Sequence, residues 1–502
     1  MNPMNQTFLQ DRGYASLSVP GKTVWVNEKA DELSVLIDAE SYFKKLYEVC
    51  EHAKQTIFIC GWDIDSRTAL VKDADGKSAL DQQLYYFLRK LVAKNKALHI
   101  YLLCWNYSLV FSLERELWPM FKSWGERIHF ILDKHHPLLS SHHQKFVVID
   151  DQIAFVGGID LCENRWDTPQ HHIHSIRRKN CYGYDYRPWH DIQNMISGQA
   201  AYRLGLLFRE RWHYATNEVI EKKAATTLPV EDFFSNTQLT IKDVPLSFCR
   251  TQPKYKSQKR ARDNFLMTLE LIKMARQFIY IENQYLTSRK VRKQIEKRLQ
   301  EPDGPEIIVI LPKFPFGWLE SITIAILQAR AIQRIRAKDK YGRFQAYYPQ
   351  LAPNEETFLY VHSKLIIVDD LYMKIGSSNI NNRSMGLDTE VDLFLEAKDL
   401  RIHEFITKVR RQLLSEHLNQ STEWLTEQEG RISLLSLIES LSTNPRTLKM
   451  LKPTSHDWID YITPHIPFFD SPHPIHVSHL FYYYYVRVSN YFRRKFGIKQ
   501  IR

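Results

Sequence analysis

Two histidines and two lysines carry the clearest chemical promise in this 502-residue chain. His143 and Lys145 stand two residues apart, and His362 and Lys364 repeat the spacing. Successive side chains of a β-strand alternate between faces, so residues two apart share a face and each histidine has a cation beside it. Imidazole gives and takes protons near neutral pH and is also a nucleophile. Each pair is followed by an apolar run, Phe146–Ile149 or Leu365–Val368, and then by two aspartates, Asp150-Asp151 or Asp369-Asp370. The runs predict buried strands, the aspartates a turn, and the apolar residues beyond them a second strand. Gly376, Ser377, Ser378 and Asn379 close the second hairpin with small hydrogen-bonding groups. A nucleophile or acid, a fixed cation and an amide on one hairpin are parts suited to a phosphate group.

More than the hairpin recurs. Ala39–Asp65 mirrors Arg260–Leu286: an amphipathic helix, an apolar strand, then polar residues at the strand's end. LHIYLLCWN and EIIVILPKF occupy the same place in each copy. Strands alternating with helices predict an α/β sandwich per half. The divisions are residues 1–215, a polar linker 216–243, a second half 244–419, and a C-terminal region 420–502 without counterpart elsewhere in the chain. Two halves that each present one His-x-Lys can meet around a single pocket.

The formal net charge of +11 and pI near 9.1 fit a polyanionic partner, whether nucleic acid, an anionic membrane surface or a phosphate-bearing substrate, and equally fit surface lysines kept for solubility. No basic cluster followed by an apolar core opens the chain, and no window reaches the roughly 18 apolar residues that span a bilayer. The expectation is a cytoplasmic or peripheral membrane protein, with export by a specialised route left open. Six cysteines without CxxC spacing read as buried free thiols in a reducing compartment.

With their flanks, the two hairpins closely resemble the phospholipase D superfamily, whose HxKxxxxD signature occurs here twice. The resemblance is to the eukaryotic and plant branch and covers about Gly61 to Glu396. It rests on FVGGIDL, NRWDTPQH, RPWHDI, IYIENQYL, VHSKLIIVDD and IGSSNINNRSMGLDTE. It implies two homologous α/β/α sandwich halves packed with pseudo-twofold symmetry, the active site at their interface, and a C-terminal extension. It also implies a catalytic set of His143, Lys145, Asp150, His362, Lys364 and Asp369. His143 attacks phosphorus to give a phosphohistidine; His362 protonates the leaving headgroup and then activates water; the lysines bind the phosphate oxygens, with Ser377 and Asn379 beside them. Asp160 stands where the second half has Asn379, so the cradle is asymmetric. Glu390 is matched as the carboxylate orienting His362, and Asp167 as its counterpart for His143. Asp150 and Asp369, on the opposite strand face from the histidines, are expected to hold their hairpins. Glu282 and Gln284 are substrate-pocket candidates. The resemblance implies metal-free chemistry, no cofactor, a phospholipid substrate at a membrane surface with transfer to alcohols, and a monomer, since both motifs lie in one chain.

Other readings concern particular stretches. His171, His172, His174 and His190 could be imagined as a zinc site, though adjacent histidines on a loop are more often plain polar groups. The helix RKVRKQIEKRLQ could be a nucleic-acid stripe or, more often for such a pattern, a solvated face; no nucleic-acid partner is expected. A nuclease, another phosphodiesterase or a cardiolipin-synthase-like phosphatidyltransferase of the same superfamily are the alternative functions. A catalytically dead membrane scaffold would have no need of both histidines. The aromatic and basic segment HLFYYYYVRVSNYFRRKFGIKQIR either docks on membrane or packs as a helix over the catalytic halves.

Overall fold

A computed structural model describes residues 7–106, 123–222, 227–314, 318–353, 358–452 and 470–473. The aromatic and basic C-terminal segment lies outside them. The first half contributes β1 (Val26–Ile37), α1 (Asp38–Cys50), β2 (Thr56–Gly61), α2 (Leu84–Lys94), β3 (His99–Trp105), β4 (Ile128–Asp133), β5 (Phe146–Ile149), β6 (Ile153–Gly157), β7 (Ile192–Ser197) and α3 (Gln199–Thr216). The second contributes β8 (Thr240–Gln252), α4 (Asp263–Met274), β9 (Phe278–Glu282), α5 (Arg289–Arg298), β10 (Glu306–Ile310), α6 (Trp318–Arg336), β11 (Phe344–Gln350), β12 (Leu365–Val368), β13 (Tyr372–Gly376), β14 (Glu390–Glu396) and α7 (Leu400–Leu418). A further strand, β15 (Thr447–Met450), follows.

The period of two in the strands decides where the helices sit. All of β2 is buried. Its Ile57 and Ile59 join an apolar cluster with Tyr42, Phe43 and Leu46 of α1 and Phe87, Leu88 and Leu91 of α2. Its Phe58 and Cys60 turn to the opposite face, against Leu204, Phe208 and Trp212 of α3. Phe58 and Phe208 stack with ring centroids 4.6 Å apart. A sheet covered on both faces needs apolar residues at every position, which is why these strands read as continuous hydrophobic runs.

Among the described residues, these strands form one mixed, sixteen-stranded sheet in the order β15-β11-β10-β9-β12-β13-β14-β8-β1-β7-β6-β5-β2-β3-β4, with a short strand at Ala261–Arg262 paired to β8. The first half runs β4-β3-β2-β5-β6-β7-β1 and the second β11-β10-β9-β12-β13-β14-β8, strand for strand. In each, three parallel strands adjoin an antiparallel set. β1 and β8 pair antiparallel, from Val26↔Phe248 to Ser34↔Thr240, and join the halves in a single sheet.

Two boundaries differ from those read in the sequence. The polar stretch 216–243 holds a helix at Val230–Ser235 and the first residues of β8. Its polarity is that of a strand end paired on one side only, with β1 and not β14. Beyond 419 the chain continues into the second half, where β15 pairs antiparallel with β11 at the sheet's edge.

Candidate active site

Each His-x-Lys precedes a two-stranded hairpin, β5–β6 or β12–β13. The turns place Asp150, Asp151, Asp369 and Asp370 at φ of 51°, 57°, 52° and 53°. Aspartate tolerates this left-handed region better than most residues, and here its carboxylate is needed. Asp150 accepts hydrogen bonds from the backbone N–H of Lys54, Gln55 and Thr56, at the start of β2. Asp369 does the same for Arg276, Gln277 and Phe278 at the start of β9, and also accepts from the Tyr14 hydroxyl at 2.7 Å. Asp151 and Asp370 bind Arg209 of α3 and Arg410 of α7 through paired N–H donors. The turns thus tie each hairpin to a neighbouring strand and to a long helix of its half, α3 or α7.

Asp369→Ala would leave three backbone donors without an acceptor. At about 1–3 kcal/mol for each unsatisfied buried group, stability should fall by about 3 kcal/mol or more. A urea midpoint shifted no further than by an ordinary surface substitution would contradict the latch role.

The segments leading into the hairpins cross between the halves. His142 bridges to Thr389, and the backbone N–H of His143 donates to the Thr389 carbonyl at 3.0 Å. In the other direction, Tyr360–Val361 pairs in parallel with Trp189–His190, and the His362 N–H donates to the His190 carbonyl at 2.8 Å. Each histidine backbone therefore binds the residue just before a carboxylate of the opposite half. The rings follow the backbones. His143 Nδ1 lies 3.0 Å from Glu390 Oε2, and His362 Nδ1 lies 2.6 Å from Asp191 Oδ2. A carboxylate on Nδ1 fixes the tautomer and leaves Nε2 free for chemistry.

This arrangement corrects two sequence expectations. Glu390 faces His143 instead of His362. Asp167 does not serve His143: its carboxylate binds His171 Nδ1 at 2.9 Å, Arg178 at 3.1 Å and the Trp189 N–H at 2.8 Å. The residue missed is Asp191, within RPWHDI. The signal that finds it is register. The glycine closing each hairpin pairs with a strand residue, Gly376 with Asp392 and Gly157 with Gln193, and in both cases the carboxylate stands two residues earlier. A glycine at 158 is required there, since a Cβ would come within 2.1 Å of Asp191 Oδ1.

The lysines differ in their partners. Lys145 Nζ lies 3.1 Å from Asp160 Oδ2, whose other oxygen accepts the Trp62 and Asp63 N–H groups. Lys364 Nζ contacts the His362 carbonyl and lies 2.9 Å from His362 Nδ1. Burial pushes Lys364 down to about 7, against the pull of Asp191; Lys145 lowers it further, while Glu390 and Asp160 raise it. Burial, with the Lys145 and Lys364 cations, holds His143 well below the ordinary imidazole value. Trp62 lies edge-on to His143 at 6.2 Å, and Trp189 lies 5.0 Å from His362, giving the pocket apolar walls.

The remaining candidates stand behind this pocket. Ser377, expected against the phosphate, donates to Glu390 Oε2 at 2.5 Å and accepts from the Val391 N–H, so it positions the carboxylate. Asn379 donates to Gln284 Oε1 at 3.3 Å, while its Oδ1 has no hydrogen bond. Gln284 also donates to the Tyr285 and Tyr360 hydroxyls. Glu282 is fully buried and surrounded: it lies 2.9 Å from His190 Nε2 and 3.0 Å from His417 Nε2, and accepts from Ser363 and Tyr280. It supports the floor of the site and does not line it.

A pH dependence follows from these shifts. His143 is neutral, and so nucleophilic, down to pH values below the usual histidine range. Its acid limb therefore lies below that range. His362 is likewise held well below the ordinary imidazole value by burial and by the Lys364, Arg165 and Lys145 cations. Lys364 loses its charge in the free protein as pH rises through about 7, so kcat/KM should fall as pH rises towards and through that value. A bound phosphodiester anion restores the charge and moves the fall in kcat to higher pH. Profiles at low and saturating substrate check both limbs; a kcat/KM that climbs steadily across the neutral range would contradict the Lys364 assignment.

Two His-x-Lys hairpins of one sheet, each histidine held by a carboxylate from the other half, define the class of protein with two half-sites fused in one chain. The family model described as Phospholipase D matches residues 49–301, and that described as Cardiolipin synthase, PLD-like domain, matches residues 268–415. The chain belongs to the phospholipase D family. It is 26% identical to Phospholipase D A of Dictyostelium discoideum over 76% of this chain and 34% of the relative. It is 26% identical to Phospholipase D1 of Saccharomyces cerevisiae over 76% and 28%, and 23% identical to Phospholipase D alpha 3 of Arabidopsis thaliana over 76% and 63%. The chain thus spans from 28% to 63% of the length of these curated relatives. Among solved structures, the phosphatidylserine synthase of Haemophilus influenzae shares the fold, with a TM-score of 0.54 at 12% identity over 82% of this chain and 93% of that one. Among the described residues, no helix is long and apolar enough to cross a membrane.

Proposed function

We propose that this chain is a phospholipase D, cleaving the headgroup ester of a glycerophospholipid to phosphatidic acid through a phosphohistidine. The observation that carries this reading is the crossed pairing of His143 with Glu390 and His362 with Asp191. It leaves two imidazole Nε2 atoms, both with set tautomers, for one phosphodiester. In this reading His143 Nε2 attacks phosphorus, the P–N bond forms as the P–O bond to the headgroup breaks, and His362 gives its proton to the leaving alkoxide. His362 then takes a proton from water as water displaces His143. Lys145 and Lys364 neutralise the non-bridging oxygens, where charge accumulates. One chain supplies both histidines, which supports a monomer acting on lipid at a membrane surface.

A covalent intermediate can be opened by any small alcohol that reaches it. Incubation with phosphatidylcholine vesicles and ethanol should therefore yield phosphatidylethanol along with phosphatidic acid, read by mass spectrometry. Headgroup release with no phosphatidylethanol would overturn the two-step route. The match to a cardiolipin synthase domain model favours one second reading, a phosphatidyltransferase whose natural acceptor is an alcohol. Transfer that outruns hydrolysis at low acceptor concentration would select it. Cleavage of nucleic acid but of no phospholipid in a mixed-lipid panel would select a nuclease.

A further inference from the structure

His171 and His190 have no place in this chemistry, yet both are fully buried, with Asp38 and Glu416, between the halves. The four residues present donor atoms that all lie within 4.8 Å of one another. His171 Nε2 is 2.8 Å from Glu416 Oε1 and 3.4 Å from Asp38 Oδ2. His190 Nδ1 is 2.8 Å from Glu416 Oε1 and 3.1 Å from Asp38 Oδ1. Ligands of a tetrahedral zinc-sized ion, at roughly 2.0–2.1 Å from the metal, are separated by roughly 3.3 Å. The contacts to Asp38, made through its two oxygens, lie on either side of that spacing, while both contacts to Glu416 Oε1 are shorter and the one from His171 is a hydrogen bond.

Two further observations separate a cation site from a network of hydrogen bonds. First, His190 Nδ1, Asp38 Oδ2 and Glu416 Oε2 are buried and make no hydrogen bond. His190 Nδ1 approaches two carboxylate oxygens closely and is aligned with neither, as atoms aimed at a common centre would be. Second, the outward nitrogen of each histidine is held by a carboxylate: His171 Nδ1 by Asp167 at 2.9 Å and His190 Nε2 by Glu282 at 2.9 Å. A carboxylate on the far nitrogen is the usual support of a metal-bound imidazole, since it fixes the tautomer and raises ligand basicity. It also gives Asp167 and Glu282 a shared role that the phosphodiester chemistry leaves open.

We infer that Asp38, His171, His190 and Glu416 bind one zinc-class divalent cation, with Asp167 and Glu282 supporting its histidines. Two imidazoles and two carboxylates suit this ion class, and a buried setting suits a structural site. Asp38, His171 and His190 belong to the first half and Glu416 to α7 of the second, so the ion staples the halves. It lies one residue from Asp191, whose N–H donates to Asp38 Oδ1 at 3.2 Å and whose carboxylate holds His362. A cavity of about 630 Å³ lined by His171, His172, His174 and Arg446 adjoins the cluster. Of the four histidines that could be imagined as a zinc site from sequence, His172 and His174 are exposed and stand apart from the cluster.

The test uses the full chain. Elemental analysis after exhaustive dialysis should find about one zinc per chain. Protein stripped with a strong chelator should melt at lower temperature, recover with one equivalent of zinc, and with one equivalent of cobalt(II) show the intense visible bands of a tetrahedral site. His171→Gln and Glu416→Gln should lose the cobalt bands, and His172→Gln should keep them. Stripped, folded wild type that takes up neither zinc nor cobalt would overturn the proposal, leaving a protonated cluster in its place. Equal uptake by wild type, His171→Gln and Glu416→Gln would overturn it too, placing the ion elsewhere. Stripping and reloading of wild type decides the matter even if the variants fail to fold.

Discussion

His143→Ala should be inert towards every phosphodiester, whereas His362→Ala should still attack those whose leaving group needs no proton. The asymmetry comes from the roles proposed for two similar rings. Without His143 no P–N bond can form, whatever the headgroup. Without His362 the headgroup must leave as an unprotonated alkoxide, which p-nitrophenolate does easily and choline does not. General acid catalysis is worth about a hundred- to ten-thousand-fold, so His362→Ala should lose that much on phosphatidylcholine and far less on phosphatidyl-p-nitrophenol. Steady-state rates on the two substrates check it. Equal losses for His362→Ala on both would remove the general-acid role.

The second large effect concerns the crossed carboxylates. Glu390→Gln and Asp191→Asn keep shape and burial but replace an acceptor for the imidazole Nδ1–H with an amide that can present its own N–H. The wrong tautomer then turns a protonated nitrogen towards phosphorus, or an unprotonated one towards the leaving group. In a serine protease the same kind of exchange costs about ten-thousand-fold. We expect losses on the order of a hundred- to ten-thousand-fold for each, but of different character. Glu390→Gln should slow attack on natural and activated lipids alike, because it acts through His143. Asp191→Asn should spare the activated lipid, because it acts through His362. Glu390→Gln that behaved as Asp191→Asn does would return Glu390 to the histidine of its own half.

What the sequence made legible follows from range. The hairpins could be read because each is local: spacing of two, an apolar run, paired aspartates, and a face assignment that keeps Asp150 and Asp369 away from substrate. Their carboxylates indeed meet backbone N–H groups of neighbouring strands. The repeat could be read because the strand and helix periods return in the same order. Partnership across the halves could not, since spacing within a half constrains only that half. Glu390 lies close after His362 in sequence, yet the pairing of Ser141–His143 with Asp388–Glu390 delivers it to His143. Asp191 was hidden by the same rule in reverse. Ser377 resembled a phosphate ligand by type, but its hydroxyl turns to the carboxylate behind the nucleophile. The polar start of β8 resembled a linker because its partner, β1, lies far away in sequence.

The central claim is that His143 carries the phosphatidyl group while His362 serves it. Phosphatidyl-p-nitrophenol mixed with His362→Ala and quenched in alkaline denaturant would catch the intermediate, because the residue that activates water is gone. Peptide mapping should place the phosphatidyl mass on the peptide holding His143, in amount equal to the p-nitrophenol burst. The same mass on the peptide holding His362 in the wild-type protein, or a full burst with no labelled histidine, would contradict the account.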